Sequence, residues 1–155
     1  MPTPTPEPRT MKPLLTPLPE SPPLPRYATR LLGAALAATA YVVCLPWDLR
    51  NRPEAPGAID ETSPVTALGL TTLTLALAAL AAHSGIRDRP AWTLLTVAAP
   101  PSTLLFVSFD THPARDADAW QVTWAFCTLV MGAGALVVGA FAARFRERGE
   151  GDGRA

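Results

Sequence analysis

The chain has 155 residues, 13 basic and 13 acidic side chains and no formal net charge, so it lacks the basic surplus that nucleic-acid binding requires. Only 17% of residues are charged, against about 25% in an average soluble protein. The apolar residues gather in four uncharged blocks of 17 to 25 residues, which excludes an ordinary water-soluble globule and points to an integral membrane protein. Twelve Arg against one Lys, 27 Ala, 18 Pro and only two Ile match GC-rich codon usage, which suggests a bacterial source. The expected location is therefore the bacterial cytoplasmic membrane, as a multi-pass protein.

Residues 1–25 hold ten of the 18 prolines. Proline fixes φ and has no amide donor, so neither helix nor sheet should propagate there. A disordered tail of polyproline II character is expected, with PxxP at Pro19–Pro22 and Pro22–Pro25. Such motifs arise by chance in proline-rich tracts, and a solvated tether is the simpler reading. Arg26, Arg30 and Ala38-Thr39-Ala40 imitate a signal peptide, but the apolar run continues through Trp47, past the cleavage position. The segment is read as a retained helix.

The expected fold is an all-α membrane protein of four transmembrane helices, occupying residues 26–146. The spans cover about 31–47, 65–82, 91–109 and 119–143. Each approaches the ~20 residues that cross a ~30 Å hydrocarbon core at 1.5 Å per residue. No span contains Asp, Glu, Lys, Arg or His. Ser63 and Pro64 are expected to cap the second helix, and Asp116 and Asp118 to complement the positive dipole of the fourth. Residues 147–155 are expected to form a disordered tail. Ten basic residues fall in the tails and second loop, against three in the first and third loops. Both termini should then lie in the cytoplasm.

In lipid, helices meet through small residues and turn large ones outward. On the fourth span Gln121, Ala125, Thr128, Gly132, Ala135, Gly139 and Ala142 follow helical spacing, with Phe126, Val130, Val137 and Phe141 opposite. The second span carries two small stripes, one through Ala67, Thr71, Thr74, Ala78 and Ala81, the other through Gly69, Thr72, Ala76 and Ala79. Two small faces would allow two close neighbours, so this helix is expected at the centre.

Pro100-Pro101 sits in the middle of the third span. The pair removes the amides that would meet the carbonyls of Thr96 and Val97 and should kink or unwind the helix. Hydroxyls of Thr93, Thr96, Ser102, Thr103 and Ser108 stand ready to re-satisfy freed groups. Thr96, Val97, Pro100, Pro101, Ser102 and Thr103 thus form a candidate functional kink, because broken helices build transport sites, although a purely structural kink is commoner.

In the third loop Asp110, His112, Asp116 and Asp118 are possible ligand types, but their spacing fits no closed zinc or EF-hand pattern. Cys44 and Cys127 form no CxxC and read as packing residues. No cofactor, metal or catalytic constellation is indicated. The leading reading is a non-enzymatic accessory or assembly subunit whose partners are the bilayer and another membrane protein or a second copy of itself. A small transporter or channel component using the broken third helix is the alternative, followed by a membrane enzyme with an extracytoplasmic Asp/His site.

Overall fold

A computed structural model of the chain describes residues 23–54, 56, 60–112 and 119–152. Among these, four helices are long and apolar enough to cross a membrane. The protein is an all-α, four-helix membrane protein. Helix α1 spans Pro23–Cys44, α2 Ala67–Arg87, α3 Pro90–Thr111 and α4 Trp120–Asp152.

The helix bounds differ from the sequence expectation for local reasons. Helix α1 begins at Pro23, inside the stretch read as a tail. The first-turn amides of a helix have no intrahelical acceptor, so Pro23 and Pro25 lose nothing there. It ends where Leu45 donates to the Tyr41 carbonyl and Pro46 can offer no further amide. Helix α2 is capped by Thr66, whose hydroxyl accepts from the Gly69 amide at 3.0 Å; Ser63 instead accepts from Val65, outside the helix. It also continues through His83, Ser84 and Gly85. Helix α4 runs to Asp152, into the segment expected to be disordered. Its 33 residues extend to about 50 Å, beyond the ~30 Å hydrocarbon core. Residues 1–22 and 113–118, the latter including Asp116 and Asp118, lie outside the described residues.

Between α1 and α2, strands β1 (Arg52–Pro53) and β2 (Glu61–Thr62) pair antiparallel, Arg52 with Thr62 and Pro53 with Glu61. At this hairpin's base Asp48 accepts from Arg50 Nε at 2.9 Å and Nη2 at 2.8 Å. The Arg50 hydrogen bonds hold the Asp48 carboxyl well below the usual carboxylate range.

Helices α2 and α3 each pack against the other three. The centre belongs to α3: 44% of its spanning window is buried, against 11% for α2. This corrects the expectation for α2. Helix α3 buries Thr93, Thr96, Ser102 and Ser108, and its Ser108 hydroxyl and Ser102 carbonyl bond the chain after α1 and the Trp124 indole of α4. Helix α2 gives Leu68, Leu70 and Leu75 to the membrane side. Its packing line follows neither small stripe. It runs Gly69, Leu73, Leu77, Ala81, Gly85, an unbroken i+4 ridge of buried and half-buried residues.

The two glycines ending that ridge are points of backbone approach. A Cβ on Gly69 would strike the Cys44 carbonyl of α1, and one on Gly85 would strike the Gly139 backbone of α4. Between them lie two core clusters. Ala81, Val97, Ala98 and Ala135 form one, while Tyr41, Leu73 and Leu105 form the other with Trp124 and Cys127 alongside.

Candidate functional site

The Pro100-Pro101 region is helical throughout and is not unwound. Leu94–Ala98 forms a π-helical turn in which the Ala99 amide reaches the Leu94 carbonyl, five residues back; α-helix resumes from Ala99 to Thr111. A proline ring collides with the carbonyl four residues before it. Admitting one extra residue per turn just ahead of the pair moves those carbonyls aside, so the widened turn is the helix's answer to two consecutive rings.

The nearby hydroxyls do not serve the carbonyls freed at Thr96 and Val97. Thr96 donates to Trp92 at 2.8 Å, Ser102 to Ala98 at 2.7 Å and Thr103 to Ala99 at 2.9 Å, each one α-turn back. Ser108 donates to the Trp47 carbonyl at 2.5 Å, which fastens the chain leaving α1 onto α3. The Trp124 indole donates to the Ser102 carbonyl at 2.9 Å, tying α4 to α3 just past the proline pair. Thr96, Val97, Pro101 and Ser102 are buried, Pro100 is half-buried and Thr103 is exposed. Leu105 is buried and Leu94 and Leu104 are half-buried, so hydroxyls and leucines are not cleanly sorted between interior and lipid.

On α4, Ala135 and Gly139 are buried, and Thr128 and Gly132 are half-buried. Gly139 meets the Ala81 carbonyl and Gly85 of α2 together with Thr93 of α3. Gln121 and Ala125 are exposed and take no part in this packing. Phe126, Val130, Val137 and Phe141 are exposed on the outward side.

Beside the π turn, α2, α3 and α4 leave a groove of about 220 Å³, lined by Thr74, Ala78, Ala98, Met131, Gly134 and Val138 among others. Its lining is apolar except for Thr74, whose hydroxyl is committed to the Leu70 carbonyl at 2.8 Å. Thr74 and Gly134 are exposed, so the groove opens on the membrane-facing surface. No atom approaches within 4 Å of the place a Gly134 Cβ would take.

Asp110 is exposed in the last turn of α3 and not in a loop, and His112, which caps that helix, has Nδ1 2.9 Å from the Thr111 hydroxyl. Among the described residues no group of three His, Cys, Asp or Glu side chains is close enough to hold a metal.

A polar cluster at the opposite end was not anticipated. Arg30 of α1 is 7% exposed and bonds Asp88, between α2 and α3, through Nε at 3.1 Å and Nη2 at 2.5 Å. Its guanidinium lies 3.9 Å from the Trp92 ring centroid. Arg146 of α4 donates to the Ile86 carbonyl in the last turn of α2. The sequence offered each residue separately, as loop charges and an interfacial ring. Only folding pairs Arg30 with a residue 58 positions away. Gly85 lies on the small stripe through Ala78 and Ala81, but beyond residue 82, the expected end of the span.

Comparison with protein-family models, with curated proteins and with solved structures returns no match to this chain.

Proposed function

We propose that the protein is a non-enzymatic accessory or assembly subunit of the bacterial cytoplasmic membrane that receives a transmembrane helix of a partner protein in the α2/α4 groove. The observation that carries this reading is the exposed glycine, Gly134, set in an apolar groove whose walls include the small residues Thr74, Ala78, Ala98 and Ala135. Hydrocarbon gives no hydrophobic drive for association, so close backbone approach over small residues is what makes helices adhere in a membrane. The Thr74 and Ala78 positions of α2 lie off that helix's internal packing ridge and remain for such a contact. The transporter alternative draws support from the π turn, since such turns recur at functional sites. The apolar lining of the adjacent groove speaks against a polar substrate there.

The test is photo-crosslinking from position 78 or 134 in native membranes, with Gly134→Leu as the groove-filling variant. Specific crosslinks to one membrane protein, lost together with co-purification in Gly134→Leu, are expected. Crosslinks to lipid alone, or to a second copy of the chain, would remove the partner-subunit reading.

A further inference from the structure

A second cavity, of about 70 Å³, lies where the end of α2, the start of α3 and α4 converge. Gly85, Asp88, Pro90, Thr93, Gly139 and Ala143 are among its walls. It is separate from the groove described above and adjoins the polar cluster through Asp88. The Thr93 side chain is 1% exposed, and its hydroxyl, like the Arg89 Nη1 group nearby in sequence, makes no hydrogen bond among the described residues. Threonines in helices ordinarily donate to a carbonyl one turn back, as Thr71, Thr74, Thr96 and Thr103 do here.

We infer that this cavity is a structural water site, holding ordered water between the Thr93 hydroxyl, the Asp88 carboxylate and the last turn of α2. Three features meet the requirements of such a site. The volume exceeds the ~10–15 Å³ that admits a single water molecule. A bound water needs two to four polar partners. Thr93 supplies a donor and an acceptor, and Asp88 retains a lone pair on each oxygen after bonding Arg30. Gly85, in the final turn of α2, belongs to the set of carbonyls without intrahelical donors. The glycines at 85 and 139 bring α2 and α4 into backbone contact beside this space, so the water also closes the junction of three helices. A cation is a poorer occupant, because Arg30 already neutralises Asp88.

Water-edited solid-state NMR on the full chain in lipid bilayers tests this directly. Magnetisation from water should reach Thr93 several-fold faster than Val97, which is equally buried but sits in an apolar core cluster beside the membrane-facing groove. Thr93→Val, which keeps the shape and removes the hydroxyl, should lower the melting temperature, and Thr93→Ser should restore most of it. Transfer to Thr93 as slow as to Val97 would overturn the site, whether or not the Val variant folds. A rise in melting temperature in Thr93→Val would do the same, because it would show a hydroxyl with nothing to lose. Stabilisation by sodium or potassium that disappears in Thr93→Val would replace water by a cation and equally overturn the inference.

Discussion

Arg30 and Asp88 show how a single contact redefines a residue. Arg30 serves the positive-inside count as an isolated loop charge, yet it is almost wholly buried, doubly bonded to Asp88 and stacked on Trp92. Removing one partner of such a pair strands the other charge, which costs about 3–5 kcal/mol, whereas replacing both by apolar residues is often neutral. Asp88→Ala should therefore destabilise the protein by that order, and the double change Arg30→Met, Asp88→Leu should recover much of the loss. Thermal unfolding in detergent measures both. If the double change is as harmful as the single one, the stability resides in the polar contacts themselves and not in avoidance of an unpaired charge.

At the element scale the glycines and the proline pair act in opposite directions. Gly85 permits two helix backbones to touch, and any Cβ there meets Gly139 backbone that cannot swing away. A Cβ at Gly132 would lie 3.5 Å from the end of the Leu94 side chain, an ordinary contact. Gly85→Ala should cost about 1–3 kcal/mol through overpacking, while Gly132→Ala should be close to neutral. Equal melting temperatures for the two variants would contradict the backbone contact. Pro100 and Pro101 force the widened turn in α3. Pro100→Ala, Pro101→Ala restores two amide donors and removes the reason for the π turn. Reversion to regular α-helix would turn Thr96 and Val97 by about 100° relative to Ser102, out of their buried positions. The expected result is lower thermal stability despite the better helix-forming residues, together with new exchange-protected amides at positions 100 and 101. A gain in stability would mean that the π turn does not set the packing of α3.

For the whole molecule, the charge count of ten basic residues against three predicts cytoplasmic termini. Reporter fusions at position 57 and at the C-terminus should give an external and a cytoplasmic signal respectively. An external signal from the C-terminal fusion would reverse the topology and place the Arg30–Asp88 cluster on the outer side. The three central residues of the second core cluster, Tyr41, Leu73 and Leu105, come from three helices. Folding of one helical hairpin alone therefore cannot complete that cluster.

The number, class and approximate limits of the four helices were legible in the sequence, because hydrocarbon imposes a length and an absence of charge that one chain segment satisfies by itself. The lipid-facing side of α4 was legible for the same reason: Phe126, Val130, Val137 and Phe141 declare it by size and spacing. Which helix lies at the centre was not. The small stripes of α2 predicted that helix, but burial favours α3, which the Ser108 hydroxyl and the Ser102 carbonyl tie to the chain after α1 and to α4. The i+4 ridge from Gly69 to Gly85 mixes glycine, leucine and alanine, so no composition rule isolates it; the crossing with α1 and α4 selects it. The proline pair guaranteed a disturbance in α3, while its form, a π turn at Leu94–Ala98 and not an unwound segment, was legible only in the structure. The Arg30–Asp88 pair and the space beside Thr93 belong wholly to tertiary structure. Their members lie on separate segments, and a side chain's electrostatic and hydrogen-bonding partners are fixed only when those segments meet.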